Sequence, residues 1–150
     1  MNLDDKGITS LTGLENMPLK ETIKTLRLNN NALRVIKPEN FKGFTQLKTV
    51  RFLDNKIKTI PAQAFIHIPQ IEKLDFSYNK LTKIESQSLQ GLSQLKKISF
   101  LGNALTNVAP DAFKDTPLLE QINLKENPKL TREQIENIQS QLPKGCKIEF

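Results

Sequence analysis

Asn31, Asn55, Asn79, Asn103 and Asn127 stand 24 residues apart, and an internal period of that length restricts the possible folds more than any other feature of the chain. Around each Asn the same apolar frame returns. The first copy reads Ile23-x-x-Leu26-x-Leu28-x-x-Asn31-x-Leu33-x-x-Ile36. The second places Leu47, Val50, Phe52, Asn55, Ile57 and Ile60 in the same register, the third Ile71, Leu74, Phe76, Asn79, Leu81 and Ile84, and the fourth Leu95, Ile98, Phe100, Asn103, Leu105 and Val108. A large apolar residue returns later in each unit at Phe41, Phe65, Leu89 and Phe113, and another at Phe44, Ile68 and Leu92, where the last copy has Thr116.

The spacing has a physical reading. In Leu26-x-Leu28 the alternation turns apolar side chains inward and the residue between them outward, as in a half-buried strand. Each unit then adds one short parallel strand, and the Asn falls where the chain leaves it. A primary amide both donates and accepts, so a column of them can satisfy backbone groups of neighbouring turns. No unit can bury its apolar side alone, and stacking joins those sides into one core. Pro38-Glu39-Asn40 and Pro110-Asp111-Ala112 suit short helical turns begun by proline.

The pattern L-x-x-L-x-L-x-x-N-x-L, present in four full copies and in part at Leu119, Ile122, Leu124 and Asn127, resembles the leucine-rich-repeat family in its 24-residue form. The resemblance implies an α/β solenoid: a right-handed arc with a parallel concave β-sheet and short helical turns or loops on the convex side. The expected organisation is a single domain over 1–150, with an N-terminal partial repeat at 3–22, four full repeats at 23–118, and a fifth partial repeat with a helix–strand cap at 119–150. At the start, Ile8-x-x-Leu11 copies Leu33-x-x-Ile36 one residue out of phase. At the end, Thr131-Arg132-Glu133-Gln134 matches a capping box. Ile135, Ile138 and Leu142 then share one helical face, and 146–150 reads as a last short strand.

Composition narrows function. The longest apolar run is Ala64-Phe65-Ile66, too short to cross a bilayer, and the start, Met1-Asn2-Leu3-Asp4-Asp5, has neither the basic nor the apolar region of a signal peptide. With one cysteine, Cys146, and one histidine, His67, internal disulfides, cysteine-based metal sites and histidine clusters are excluded. No metal site, cofactor or catalytic residue is expected. Cys146 is expected as a small buried residue of the cap, His67 as an unremarkable convex-side residue, and Asp4-Asp5 as a surface turn. Lys plus Arg exceed Asp plus Glu by 22 to 16, a moderate surplus compatible with an acidic partner.

Members of this family generally bind proteins on the concave strand face, so the resemblance implies a non-catalytic protein- or peptide-binding module. The outward positions here are Thr25, Arg27 and Asn29; Thr49, Arg51 and Leu53; Lys73, Asp75 and Ser77; Lys97, Ser99 and Leu101; Gln121, Asn123 and Lys125, with Tyr78 one step further out. From these the partner-binding set is Arg27, Arg51, Leu53, Lys73, Asp75, Tyr78, Lys97, Leu101 and Lys125. It places one cation on every strand, with Leu53, Leu101 and Tyr78 as apolar anchors, and suits an acidic protein segment. Asp75 is expected to be bridged by Lys73, Arg51 or Lys97. Five strands at ~4.8 Å span about 20 Å, a width for a peptide, a loop or a small domain edge.

Two further readings stand beside this one. A nucleic-acid or anionic-membrane binder would use Lys24, Lys48 and Lys96 on the flank with Lys56 and Lys80 in the turns, but Tyr78 is the lone aromatic of the face and stacking platforms are otherwise missing. A trimmed ligand-binding fragment of a larger receptor is the other. Some bacterial relatives carry a separate ligase domain with a catalytic cysteine, which this chain lacks. The resemblance to short, cysteine-poor bacterial members implies an effector or adaptor, in the cytoplasm or delivered into a host cell, and an extracellular protein if a leader has been removed.

Overall fold

The computed structural model describes residues 1–150. Two single 3-10 turns, Leu14–Asn16 and Lys20–Thr22, precede strand β1 (Thr25–Arg27), and a third, Pro38–Phe41, follows it. Then come β2 (Thr49–Arg51), β3 (Lys73–Asp75), β4 (Lys83–Ile84), β5 (Lys97–Ser99), β6 (Asn107–Val108), β7 (Gln121–Asn123), helix α1 (Arg132–Gln141) and β8 (Lys147–Glu149). Six of the strands form one parallel sheet in the order β1-β2-β3-β5-β7-β8. The period sets its register: Thr25 lies opposite Thr49, Thr49 opposite Lys73, Lys73 opposite Lys97, and Lys97 opposite Gln121. The arc is the leucine-rich-repeat solenoid that the resemblance implies.

Three features differ from the sequence expectation. The last strand joins the same sheet, pairing Gln121 with Lys147, so the face has six strands and is about 24 Å wide. On the far side, β4 and β6 pair Ile84 with Val108 in a small second sheet. Of the two expected proline-led helical turns, only Pro38–Phe41 forms; 110–115 is a plain turn. At Pro38–Phe41 the buried Asn40 accepts the Lys37 N–H and donates to Leu11 O. Ala112 stands at the equivalent place, but the polar bonds do not by themselves wind a helix, since Ser88 makes the same pair, from the Glu85 N–H and to Ile60 O, within a plain turn.

In the first five strands of the main sheet the middle residue is inside: Leu26, Val50, Leu74, Ile98 and Ile122 are all buried, while Ile148 of β8, at the sheet edge, is half-buried. Behind them Phe52 stacks on Phe76 at 5.0 Å between ring centroids and Phe76 on Phe100 at 6.1 Å, with Phe41 and Phe65 tilted against them from the convex side. Thr116 occupies its apolar column fully buried, its hydroxyl donating to Phe113 O at 2.9 Å.

The asparagine column joins the turns. Asn79 donates to Phe52 O at 2.9 Å and Phe76 O at 3.1 Å, and accepts the Ile57 N–H at 3.0 Å. Asn55, Asn103 and Asn127 repeat this set. The residue before each ladder Asn is left-handed, with φ of 54° at Asn30, 53° at Asp54, 54° at Tyr78, 66° at Gly102 and 57° at Glu126. That reversal takes the chain off the sheet and aims the next amide inward.

The ends continue the pattern. Asn31 donates to Leu3 O and accepts the Lys6 and Ile8 N–H groups, so 3–8 stands in for a preceding repeat. Asn2 bridges Arg27 in parallel, extending the β1 edge. In α1, Thr131 Oγ1 accepts the Gln134 N–H at 3.3 Å, but Gln134 Oε1 is buried without a partner, so only one half of the capping box forms. Ile138 is fully buried, while Ile135 and Leu142 pack at the margin.

Asn79→Ala takes one of two amide donors from each of the buried Phe52 and Phe76 carbonyls and leaves the buried Ile57 N–H without an acceptor, and is expected to cost about 2 kcal/mol by urea denaturation. Asn31→Ala, at a half-buried site, should cost less. Equal losses would show that the column does not act through burial.

Candidate binding face

Only the first and third residues of each strand point out from the sheet, and with a fixed register they form two rows. One row runs Thr25, Thr49, Lys73, Lys97, Gln121, Lys147, and the other Arg27, Arg51, Asp75, Ser99, Asn123, Glu149. Between them lies an open groove of about 320 Å³ walled chiefly by Arg51, Lys73, Asp75, Lys97, Ser99 and Gln121.

The structure separates the cations into two kinds. The peripheral ones are neutralised: Arg27 by Asp4 at 2.5 Å, and Lys125 by Glu149 at 3.1 Å. On the flank Glu72 takes both Lys48 at 3.1 Å and Lys96 at 3.3 Å. Arg51, Lys73 and Lys97 have no carboxylate within 4.0 Å. The charge surplus of the face is thus concentrated in the groove. Hydrogen bonds from Lys48 and then Lys96 hold the Glu72 carboxyl below its ordinary pKa. Lys125, and then Gln121 Nε2 at 2.7 Å, do the same for Glu149.

Asp75 does not make the ion pair expected of it. Its Oδ1 accepts the Ser77 N–H at 2.9 Å and the Ser77 hydroxyl at 2.6 Å, and Ser77 Oγ lies 2.8 Å from Ser99 Oγ. Ser77 is consequently buried, and so is Asn29, whose Oδ1 accepts the Leu53 N–H at 3.1 Å. Both were expected to face outward, and both instead tie down the chain just beyond the strand. Leu53 and Leu101 are half-buried beside them, so each offers an edge rather than a full side chain.

Tyr78 is 44% exposed and lies over Gly102, where an added Cβ would sit 2.5 Å from the tyrosine ring. Its hydroxyl reaches toward Glu126 Oε1 at 3.5 Å. The missing side chain at 102 lets the ring lie along the rim of the face. The sequence frame placed Tyr78 one step beyond the outward strand positions but showed neither the left-handed φ of that column nor this pairing within it.

Asp4, expected in a surface turn, is the other residue with an unforeseen role. Its Oδ1 accepts the Asn29 N–H at 2.8 Å and its side chain is only 8% exposed. The signal was present: Asp4 precedes Asn29 by the same interval that separates Ile8 from Leu33. His67 is exposed on the convex side, as expected. Cys146 is half-buried rather than buried, and desolvation raises its thiol pKa, the opposite of what activates a cysteine nucleophile.

The signature of the BspA type leucine rich repeat region matches residues 19–149 in six copies, and the chain belongs to that family. Among solved structures it is similar to a leucine-rich-repeat protein of Leptospira interrogans, with a TM-score of 0.74 and 24% identity, covering 89% of this chain and 34% of that one. It is also similar to the leucine-rich repeat domain of APL1B, with a TM-score of 0.74, 23% identity and coverage of 83% and 36%. A chain of the Drosophila Toll–Spatzle complex matches with a TM-score of 0.62 and 21% identity over 66% of this chain and 14% of that one. The chain therefore spans about a third of the length of the first two structures, and these likenesses establish the fold. No curated protein matches it by sequence. Leucine-rich-repeat domains are commonly protein-binding modules and typically not enzymes, and no helix here is long and apolar enough to cross a membrane.

The Glu72 bridge has a pH signature. A carboxyl whose folded pKa is depressed adds stability above its unfolded pKa, about 4.3, and that stability is lost as pH falls through the folded value. Wild type should melt above Glu72→Gln near pH 7, and the two should converge only in acid below the depressed folded pKa of Glu72. A constant difference across that range would show that the bridge contributes nothing through ionisation. At the rim, Gly102→Ala combines a left-handed φ with a clash against Tyr78 and is expected to cost about 1–3 kcal/mol. Tyrosine fluorescence, from a chain with a single Tyr and no Trp, should report the displaced ring.

Proposed function

We propose that the chain binds a protein or peptide on its concave face, through the groove bounded by Arg51, Lys73 and Lys97, with Tyr78 and the exposed edges of Leu53 and Leu101 as apolar anchors. One observation carries this reading. The register sets Lys73 directly opposite Lys97 and Arg27 directly opposite Arg51, an arrangement that destabilises a sheet. Asp4 relieves the charge on Arg27, but nothing within ion-pair distance relieves Lys73 or Lys97. A partner that brings carboxylates removes this repulsion on binding, so charge steers the encounter and apolar contacts hold it.

On this reading Arg27 and Lys125 contribute less than the central cations, because a ligand would have to displace Asp4 or Glu149 first. The chain then works as an adaptor or effector by occupying its partner, without making or breaking bonds. A nucleic-acid or membrane role draws less support. Of the flank lysines it would use, Lys48 and Lys96 are already committed to Glu72. Because the chain covers only part of its structural relatives, a binding segment within a longer receptor stays consistent with the same face.

The test compares two triple variants of equal charge change in affinity capture from candidate cell lysates: Arg51→Glu, Lys73→Glu, Lys97→Glu in the groove, and Lys42→Glu, Lys58→Glu, Lys129→Glu away from it. The groove variant should lose specific partners, with affinity lowered at least about tenfold, while the control keeps them. Equal recovery by both variants would remove the concave-face assignment.

A further inference from the structure

Asp75 is the acid at the centre of the cationic groove, and its surroundings explain what it can still do. It lies opposite Arg51 in the neighbouring strand and two residues from Lys73, which itself lies opposite Lys97. None of the three comes within 4.0 Å of it. The row of hydroxyls explains why it is held apart. Ser77 gives its proton to Asp75 Oδ1 at 2.6 Å, so Ser77 Oγ is left to accept from the Ser99 hydroxyl at 2.8 Å, and Ser99 Oγ in turn accepts the Leu101 N–H at 3.4 Å. Every hydroxyl proton in this row points toward Asp75. Asp75 Oδ2 and the remaining lone pair of Ser99 therefore offer only acceptors to the groove. The floor is an acceptor island surrounded by donors.

We infer that Asp75 is a specificity-determining residue, and that the face takes a protein segment of mixed charge, an acidic stretch interrupted by one lysine, arginine or free N–H, in preference to a continuous polyanion. The inference rests on the concave-face reading above. Carboxylates of such a segment meet Arg51, Lys73 and Lys97, while the interrupting donor meets Asp75. An unbroken run of anions must set one of its charges against the Asp75 carboxylate. At roughly 6 Å and an effective dielectric of about 40, that repulsion is worth on the order of tenfold in affinity. Discrimination by a built-in repulsive group is a general route to specificity. It also lets a basic face reject nucleic acid, whose phosphates form just such a run.

Three fluorescein-labelled probes test this by anisotropy at about 0.1 M salt: a short all-glutamate peptide with one central leucine, the same peptide with one glutamate replaced by lysine, and an oligothymidylate of roughly 20 nucleotides. Wild-type protein should bind the lysine-bearing peptide tightest. Asp75→Asn keeps an acceptor for Ser77 and so preserves the local hydrogen bonds. It should tighten the all-glutamate peptide and the oligothymidylate about tenfold and weaken the lysine-bearing peptide. The inference is overturned if Asp75→Asn leaves all three affinities unchanged. It is equally overturned if the wild type fails to bind the lysine-bearing peptide or prefers the all-glutamate one, comparisons that need no variant. Arg51→Gln with Lys97→Gln separates the two levels. If that pair changes no probe's affinity, the concave-face reading itself fails. If it weakens all three while Asp75→Asn changes none, only the role given to Asp75 fails.

Discussion

A buried primary amide, repeated once per turn, is the interaction from which the other features of this molecule follow. Each buried Asn of the column bonds backbone groups on two coils: Asn79 donates to Phe76 O and Ser77 O of its own coil and to Phe52 O of the preceding one, and accepts the Ile57 N–H of that preceding coil. Because one side chain satisfies groups on two adjacent coils, it fixes how far one coil can shift against the next. A one-residue slip would leave buried carbonyls and an N–H without partners, at a cost comparable to a large share of a small domain's stability. The amide column, more than the apolar residues around it, sets the register, since leucine and phenylalanine tolerate small displacements that a hydrogen bond does not.

Register then determines the surface. With the coils locked in step, outward residues are forced into rows, and residues with no mutual affinity become neighbours. Lys73 faces Lys97 for that reason alone. The molecule answers this differently in different places. At the margins it supplies an acid, Asp4 for Arg27, Glu149 for Lys125, and Glu72 for two lysines at once. In the middle the available acid is turned away by a serine. The contrast between satisfied margins and an unsatisfied centre gives the face its character.

How much of this could be read from the residues divides along physical lines. Strands, core columns and the stacking ladder were legible because each depends on intervals within one chain segment. The partial repeat at the start was visible in the offset of Ile8 and Leu11. The state of individual side chains was not. Whether Arg27 is free depends on Asp4, which belongs to the cap rather than to the frame. Whether Lys125 is free depends on Glu149, placed by a final strand that breaks the period by two residues. Ser77 and Asn29 occupy positions that the alternation labels as outward, yet short polar side chains there fold back onto neighbouring N–H groups, a local competition that periodicity does not encode.

The three-residue strands have a consequence for how such a protein can change over generations. Their central residue belongs wholly to the interior, and its two neighbours belong largely to the outside. Recognition and foldedness are thus written in alternate letters of the same word. A lineage can exchange the outer letters one at a time, testing new ligands, while the scaffold stays intact, and duplication of a whole coil would bring a fresh pair of letters already aligned with the old ones.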